Sequence, residues 1–226
     1  MSQSSLPFRI KICGITDVKD GLSAVELGAD AIGLNFYAKS LRSVSPVEGI
    51  ELAAALSGKA ALVGVFVNHS AEDIVEISEH LRLEFVQLHG DETPDLTGSL
   101  NPLGLPVIRA IRIGSNETAS IASAQSQIDE WTAAGVAGFL LDKQLGREYG
   151  GTGHTFDWEI VSRLHFEKPF VLAGGLTDSN VASGIAKVSP AAVDTASGVE
   201  SLPGKKDLEK LTRFVEAAKA AFDSGQ

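Results

Sequence analysis

The chain alternates short apolar segments with amphipathic segments from one end to the other. Eight apolar, often β-branched runs are separated by turn residues and by helical patterns, which is the arrangement of β-α units. The runs are Phe8–Cys13, Ala31–Phe36, Ala61–Val67, Glu84–Leu88, Pro106–Ile111, Ala137–Asp142, Pro169–Ala173 and Ala191–Thr195. Strands that are hydrophobic along their whole length indicate a parallel sheet covered by helices. Eight units favour a closed (β/α)₈ TIM barrel over a doubly wound sheet, which usually has about five or six strands.

The helical patterns between the runs carry recognisable entry signals. Asp17 precedes the first helix, Ser45 and Pro46 begin the second, and Ser70 precedes the third. The predicted helices are Val18–Leu27, Pro46–Leu56, Ala71–Leu81, Thr93–Leu100, Ser120–Ala133, Ser179–Ala186 and Asp207–Phe222. No linker, charge block or low-complexity tract interrupts the pattern. We therefore expect one α/β barrel domain over residues 6–226, preceded by a flexible tail of residues 1–5.

Composition and charge exclude several classes of function. A net charge of −10 disfavours nucleic acid and anionic membrane surfaces as partners. No apolar run approaches the roughly 20 residues of a membrane span, and the first residues do not resemble a signal peptide, so we expect a cytoplasmic protein. Cys13 is the only cysteine and the five histidines lack metal-site spacing, so we expect no metal. The absence of an exposed apolar stripe favours a monomer and leaves a homodimer open.

Polar residues at predicted strand ends mark a candidate site. Asp142 ends an apolar run and is followed by the glycine-rich segment 150–153, which could approach a ligand closely. Alternation places Cys13 on the same strand face as Lys11, and Gln87 on the same face as His89. Polar side chains that point inward near the carboxyl ends of barrel strands are typical of function. A glycine-rich loop or a lone buried cysteine would mean little by itself.

Taken together, the strand-end motifs resemble those of the phosphoribosylanthranilate isomerase family. The resemblance extends from Lys11 to Asp207, and its specificity lies in the ordered set rather than in any one motif. The matching segments are Lys11–Thr16 (KICGIT), Gly33–Tyr37 (GLNFY), Lys39–Arg42 (KSLR), Gly64–Asn68 (GVFVN), Gln87–Glu92 (QLHGDE), Leu141–Asp142, Gly150–Trp158 (GGTGHTFDW), Ala173–Leu176 (AGGL), Asp194–Glu200 (DTASGVE) and Pro203–Asp207 (PGKKD).

The resemblance implies a (β/α)₈ barrel that performs an Amadori rearrangement without a cofactor or metal. It converts N-(5′-phosphoribosyl)anthranilate into 1-(2-carboxyphenylamino)-1-deoxyribulose 5-phosphate, a step of tryptophan biosynthesis. The family's general base falls on Cys13, its general acid on Asp142, and its anthranilate-binding arginine on Arg42. The chain departs from the family at Leu41, where proline is usual, and at Ala196, where serine is usual. Neither change touches the proton-transfer pair.

The chemistry requires one protonated and one deprotonated group near neutral pH. An acid opens the furanose ring, and a base then removes the C2′ proton. Desolvation at the end of an apolar strand disfavours the anion of Asp142, so that it can retain a proton. Cys13 needs to act as a thiolate, and Lys11 is the candidate cation to lower its pKa from about 8.5. Nucleophilic catalysis is disfavoured because no Cys-His-Asn arrangement is present.

Barrel enzymes commonly bind phosphate with the loops that follow strands seven and eight. Gly174 and Gly175 follow the seventh run, and Ser197 and Gly198 follow the eighth, so we expect their backbone N–H groups to hold the phosphate beside a short extra helix. Gly151, in the glycine-rich segment, would cover the same side.

Other side chains permit more than one interpretation. Gln87 and His89 either line the pocket as substrate-binding residues or fill the polar top layer of the barrel. Arg42 is suited to a planar carboxylate, but it could equally be a solvated loop residue.

Two other kinds of phosphosugar barrel remain as alternatives. An indole-glycerol-phosphate synthase uses lysine and glutamate, and an aminoimidazole-carboxamide ribotide isomerase uses two aspartates, so the pair of Cys13 and Asp142 fits neither. A non-catalytic phosphosugar-binding barrel would need neither residue.

The topology also predicts a buried ion pair. Strand eight closes against strand one in a barrel, so Asp194 and Lys11 can face each other beneath Cys13. A buried lysine requires a partner, since an unpaired charge there would cost several kcal/mol. Glu84 and Asp91 are the other candidates.

Overall fold

The computed structural model describes residues 6–114, 117–143 and 158–225. Eight parallel strands, β1 to β8, form a closed barrel in chain order, so the predicted (β/α)₈ fold is confirmed. The strands are β1 Ile10–Cys13, β2 Ala31–Asn35, β3 Ala61–Phe66, β4 Phe85–Leu88, β5 Val107–Ile113, β6 Gly138–Lys143, β7 Phe170–Leu172 and β8 Ala192–Thr195. Each lies within two residues of the bounds predicted from its apolar run.

Helices cover the outside of the barrel. They are α1 Val18–Leu27, α2 Pro46–Leu56, α3 Ala71–Leu81, α4 Asp95–Leu100, α5 Glu117–Ala133, α6 Trp158–Ser162, α7 Val181–Val188 and α8 Leu208–Ser224. The first three have the predicted bounds because their caps are local: the side chains of Asp17, Ser45 and Ser70 each accept a hydrogen bond from a backbone N–H of the first turn. The short helix α6 was not predicted.

The barrel interior changes from apolar to polar along its axis. The end that holds the strand N-termini is closed by apolar side chains, among which the rings of Phe8 and Phe85 meet edge to face at 5.6 Å. One strand pleat further, the interior holds the buried polar residues Lys11, Gln87 and Asp194. A second and larger apolar cluster fills the space between strands and helices. Apolar side chains thus fill the N-terminal end of the barrel and the space beneath the helices. Polar chemistry is therefore left to the carboxyl ends of the strands.

An additional hairpin follows the last barrel strand. A 3₁₀ turn, Ser197–Val199, leads into β9 Glu200–Leu202, which pairs antiparallel with β10 Lys205–Lys206. The expected short extra helix is therefore only a single 3₁₀ turn. The hairpin was not predicted, because strands of two and three residues leave no periodic pattern.

Several predictions fall outside the described residues: the tail Met1–Ser5, Gly151 with the rest of the glycine-rich segment, and most of the segment 143–149. Among the described helices, none combines the length and the low polarity that crossing a membrane would require.

Candidate active site

One pocket opens at the carboxyl ends of the strands. The structure brings together there all five side chains predicted for catalysis and substrate binding: Cys13, Arg42, Gln87, His89 and Asp142. They come from β1, from the loop after β2, from the end of β4 and from β6. Residues far apart in sequence therefore converge because the strands share one direction and end at one rim.

Cys13 lies above a buried ion pair. Lys11 Nζ is 2.9 Å from Asp194 Oδ1, and both side chains are almost fully buried, so the predicted pair is confirmed. The two residues are register partners across the seam of β1 and β8. Gly33, on the neighbouring strand β2, leaves room for the side chains of Cys13 and Lys11. A Cβ at this position would lie 2.7 Å from Cys13 Sγ and 3.0 Å from Lys11 Nζ.

The electrostatic surroundings of the thiol have opposing effects on its pKa. Burial raises the pKa of Cys13 above its ordinary value, and this effect outweighs the nearby ammonium groups of Lys11 and Lys206, which lower it. Asp194 also raises it. Lys11 thus acts in the expected direction, but desolvation and the carboxylate of Asp194 oppose it, and the net pKa of Cys13 is raised. The net effect of these surroundings on Cys13 favours the protonated thiol.

Asp142 is tied to two other pocket residues. Its Oδ2 lies 3.3 Å from His89 Nε2, and its Oδ1 accepts the backbone N–H of Lys143 at 2.8 Å. Gln87 Nε2 lies 2.9 Å from His89 Nδ1. A neutral imidazole that accepts this bond carries its proton on Nε2, on the side of Asp142. The three side chains thus form one polar row across the pocket.

Two atoms of this row lack hydrogen bonds. Among the described residues, Gln87 Oε1 and His89 Nε2 are buried side-chain atoms without a hydrogen-bond partner. Unsatisfied polar atoms are rare in a folded interior because each costs free energy. His89 Nε2 faces Asp142 at 3.3 Å, whereas Gln87 Oε1 has no such neighbour. Because Gln87 lines the pocket, a polar ligand can complete this oxygen, which favours substrate binding over a filled top layer.

Arg42, in the loop after β2, reaches past the end of β1 to the hairpin after β8. Its Nε lies 2.9 Å from Glu200 Oε1, and its Nη2 lies 2.7 Å from Glu200 Oε2. The arginine side chain is 13% exposed, so Arg42 is not a solvated loop residue. Its Nη1 donates to no acceptor within the described part of the chain. The outer edge of the guanidinium thus remains available to a ligand.

The comparisons with known proteins agree with this geometry. The family model described as N-(5′phosphoribosyl)anthranilate (PRA) isomerase matches residues 10–217. This chain belongs to the phosphoribosylanthranilate isomerase family. The N-(5′-phosphoribosyl)anthranilate isomerase of Rubrobacter xylanophilus is 41% identical, with 94% of this chain and 99% of the relative covered.

Solved structures of the family show the same barrel. The phosphoribosylanthranilate isomerase of Thermotoga maritima has a TM-score of 0.82 and 40% identity, covering 94% of this chain and 99% of its own. A further structure of that enzyme is described as monomers generated from a dimeric protein. Another isomerase of the family, in complex with reduced 1-(o-carboxyphenylamino)-1-deoxyribulose 5-phosphate, has a TM-score of 0.77 and 36% identity, covering 94% and 99%.

In this isomerase the predicted phosphate-binding residues lie outside the pocket wall but border it. Ala196, which lines the pocket, precedes Ser197 and Gly198 in the turn after β8. The loop after β7 turns through Gly174 and Gly175, whose φ angles are +75° and +74°. Among the described residues, the N–H groups of these four residues donate to no protein acceptor. They are therefore free to bind an anion.

The loops after β7 and β8 hold each other in place. Thr195 Oγ1 donates a 2.8 Å hydrogen bond to the carbonyl of Leu176. A Cβ at Gly198 would lie 1.9 Å from that same carbonyl oxygen, so no other residue fits at this position without moving the loop. Thr195 thereby ties the end of β8 to the loop after β7.

Sequence reasoning missed several pocket residues. Asn35, Tyr37 and Ser40 line the pocket beside Arg42. Asn35 Nδ2 donates to Ser40 Oγ at 3.1 Å, and Ser40 Oγ accepts the backbone N–H of Arg42 at 3.1 Å. The strand-face alternation that identified Cys13 could have identified Asn35, which is the inward residue at the end of β2.

A buried arginine supports the loop after β4. Arg109 Nη1 lies 2.6 Å from Glu92 Oε2, its Nη2 donates to the carbonyl of Gly90 at 3.0 Å, and its guanidinium stacks 4.6 Å from the ring of Trp131. Gly90 follows His89 directly. The loop that presents His89 is therefore fixed from below, and no sequence signal predicted this network.

No group of three or more histidine, cysteine, aspartate or glutamate residues in the described ranges could hold a metal ion.

Proposed function

We propose that this chain isomerises N-(5′-phosphoribosyl)anthranilate at the described pocket, with Asp142 as general acid, Cys13 as general base and Arg42 as carboxylate ligand. The observation that carries the proposal is the convergence of these three side chains on one pocket in a member of this family. The product analogue bound by a relative has the same ring carboxylate and 5-phosphate that these residues would have to recognise.

The first step is ring opening. Asp142 gives its proton to the furanose ring oxygen, the C1′–O4′ bond breaks, and the anthranilate nitrogen supplies the electron pair that forms a protonated Schiff base. His89 lies 3.3 Å from Asp142 Oδ2 and carries its N–H on that side, so it stabilises the carboxylate left behind. Gln87 fixes the imidazole in this orientation.

The second step is removal of the C2′ proton by Cys13. The electron pair of the C2′–H bond moves toward the cationic nitrogen and yields an enolamine, which tautomerises to the aminoketose. The thiol begins protonated, because burial raises its pKa. The positive Schiff base formed beside it favours the thiolate, as do Lys11 and Lys206. The thiol therefore releases its proton to solvent at this stage, and the resulting thiolate accepts the C2′ proton.

The two anionic groups of the substrate are bound by different groups at the pocket mouth. The outer edge of the Arg42 guanidinium suits the planar anthranilate carboxylate. The free N–H groups of Gly174, Gly175, Ser197 and Gly198 suit the phosphate, as Gly151 also would by sequence. Backbone donors bind a dianion without a cationic side chain, which is consistent with the acidic composition of the protein.

We infer a cytoplasmic enzyme. The oligomeric state stays a prediction: the sequence favours a monomer, whereas the Thermotoga maritima relative is described as dimeric. Sedimentation at micromolar concentration distinguishes the two.

Turnover of the fluorescent substrate tests the function. We expect fluorescence of N-(5′-phosphoribosyl)anthranilate to fall on addition of the wild-type protein. Cys13→Ala and Asp142→Ala should each lose about 10²–10⁴-fold or more in kcat, the usual share of proton transfer, with a far smaller change in KM.

One further substrate tests the alternatives in the same assay format. Turnover of an aminoimidazole-carboxamide ribotide, but not of the anthranilate compound, would replace the proposed function. Binding of both without turnover would indicate a non-catalytic barrel. A Cys13→Ala or Asp142→Ala variant with near-normal kcat would remove that residue from its role.

A further inference from the structure

The hairpin after β8 contains two buried charged residues, Glu200 and Lys206, and the mechanism uses only Lys206, as one of the positive charges near Cys13. Glu200 and Lys206 are both buried, with 4% and 1% of their side chains exposed. Lys206 Nζ lies 2.9 Å from Glu200 Oε1. Burying two charges is costly unless each is well paired. Their position beside Arg42 and Cys13 points to a function in the site.

Glu200 fixes the orientation of Arg42. It binds the inner edge of the guanidinium through Nε and Nη2, with three contacts of 2.7–3.1 Å. The aliphatic part of the Arg42 side chain is held as well, because it packs directly against Gly14. A Cβ added at Gly14 would lie only 2.6 Å from Arg42 Cδ. With the inner edge occupied, only the outer edge, Nη1 with the second hydrogen of Nη2, can face a ligand in the pocket.

Lys206 is saturated by protein acceptors. Its ammonium donates to the carbonyl of Cys13 at 2.7 Å, to that of Ala196 at 3.2 Å and to Glu200 Oε1 at 2.9 Å. An ammonium has three hydrogens, so none remains for a substrate. Lys206 therefore acts through the groups it holds: the backbone at the catalytic cysteine, the residue before the turn 197–199, and Glu200.

The charges of the cluster explain why both residues are needed. Arg42 paired with Glu200 alone would be neutral and would attract a carboxylate weakly. Lys206 adds a second positive charge, so that the three residues together carry +1. Hydrogen bonds from Arg42 and Lys206 hold the pKa of Glu200 below its ordinary value in spite of burial, so Glu200 remains charged at neutral pH.

The hairpin itself is anchored to the start of α1. Thr16 Oγ1 donates to the carbonyl of Gly204 at 2.6 Å, and the backbone N–H of Lys206 donates to Asp20 Oδ2 at 2.7 Å. These bonds join the hairpin to the segment that follows the catalytic strand β1. A displacement of the hairpin would therefore move Arg42 and the Cys13 carbonyl together.

We propose that Glu200 and Lys206 are positioning residues for the anthranilate carboxylate: Glu200 aims the outer edge of Arg42 into the pocket, and Lys206 restores the positive charge that Glu200 cancels. This inference rests on the proposed function only for the identity of the ligand. It assigns a role to the segments Asp194–Glu200 and Pro203–Asp207 beyond phosphate binding.

Substitution of Glu200 by glutamine separates aiming from simple attraction. Glu200→Gln makes the cluster more positive, so attraction alone predicts a lower KM. Loss of aiming predicts a higher KM, by about tenfold or more, with kcat within a few-fold of wild type. Glu200→Asp, which keeps the charge but shortens the side chain, should raise KM in the same direction and serves if the glutamine variant does not fold.

Calorimetry with two analogues keeps the test independent of turnover. The reduced product analogue with its ring carboxylate should bind Glu200→Gln and Lys206→Met at least tenfold more weakly than wild type, whereas the same analogue with an unsubstituted phenyl ring should bind all three alike. In the Arg42→Met background, Glu200→Gln should add little further loss, because the two act as one unit. Lys205→Met is the control. This neighbouring lysine is largely exposed, and its substitution should change the affinity for neither analogue.

An unchanged or lower KM in Glu200→Gln, equal loss of both analogues, or full additivity with Arg42→Met would overturn the inference. If the wild type fails to turn over the substrate, the proposed function fails, and the calorimetric comparison still decides whether Glu200 aims Arg42 at a carboxylate.

Discussion

Removing Asp194 should leave a buried lysine without its partner. Lys11 is completely buried, and its ammonium lies 2.9 Å from Asp194 Oδ1 in the barrel interior. Breaking a buried pair by removing one partner typically costs about 3–5 kcal/mol, because the remaining charge is desolvated and uncompensated. We therefore expect Asp194→Ala to lower the free energy of unfolding by about that amount. For a chain of this size the loss corresponds to a Tm lower by about 6–20 °C.

The pH dependence of this loss has a definite sign. In the wild type, burial acts to lower the pKa of Lys11, but the neighbouring Asp194 and Cys13 together raise it above its ordinary value. The stability due to a raised lysine pKa is complete below the unfolded value of about 10.4 and is lost above it. In Asp194→Ala, burial acts on Lys11 with its main counter-charge removed and favours the neutral amine. The variant should therefore gain stability as pH rises toward about 10, and its difference from the wild type should shrink.

Urea unfolding followed by circular dichroism at pH 7 and near pH 10 measures both effects. Asp178→Ala is the matched control, since Asp178 forms a surface pair with Arg213 and exposed pairs contribute about 0–1 kcal/mol. The double variant Lys11→Met/Asp194→Leu removes both charges and should recover much of the lost stability. If Asp194→Ala costs no more than Asp178→Ala, or if its deficit does not shrink at high pH, the pair is not the buried constraint argued here.

Three other predictions concern the site. Arg42→Lys should raise KM more than it lowers kcat in steady-state assays, because an ammonium cannot reproduce the planar edge that binds a carboxylate; an unaltered KM would exclude Arg42 from binding. Gly33→Ala should cost about 1–3 kcal/mol in thermal unfolding and lower kcat, since the new Cβ would lie 2.7 Å from Cys13 Sγ, whereas Gly98→Ala, with open space around it, should cost nothing. The rate constant kcat/KM should rise with pH above neutrality as the thiol of Cys13, whose pKa is raised by burial, ionises; a flat profile from pH 7 to 9 in the wild type would contradict this assignment.

The fold was predictable because each of its signals is local. An apolar run locates a strand to within a few residues. Asp17, Ser45 and Ser70 each fix a helix start, because the side chain accepts a hydrogen bond from the backbone N–H three residues later. The order of eight such units then leaves few topologies. The exceptions were the elements with too few residues for a period, namely α6 and the hairpin of β9 and β10.

Among the interactions of the site, strand neighbours were predictable and loop partners were not. Lys11 and Asp194 are 183 residues apart, yet barrel closure places them side by side in register. Arg42 and Glu200 are 158 residues apart and lie on a loop and an irregular hairpin, for which no register exists. A charge on a loop has many possible partners in the sequence, and only the folded path of the chain selects one.

The same distinction applies to the pKa of Cys13. The cation that could lower its pKa was correctly identified from the strand pattern, because Lys11 shares a face with Cys13. The sign of the total effect depends instead on how much water reaches the thiol and on where Asp194 lies, which are properties of the closed barrel. A base that holds its proton until a positive intermediate forms beside it also has a chemical advantage. A permanent thiolate would be exposed to oxidation in the empty enzyme, whereas this thiol becomes nucleophilic mainly when substrate is bound.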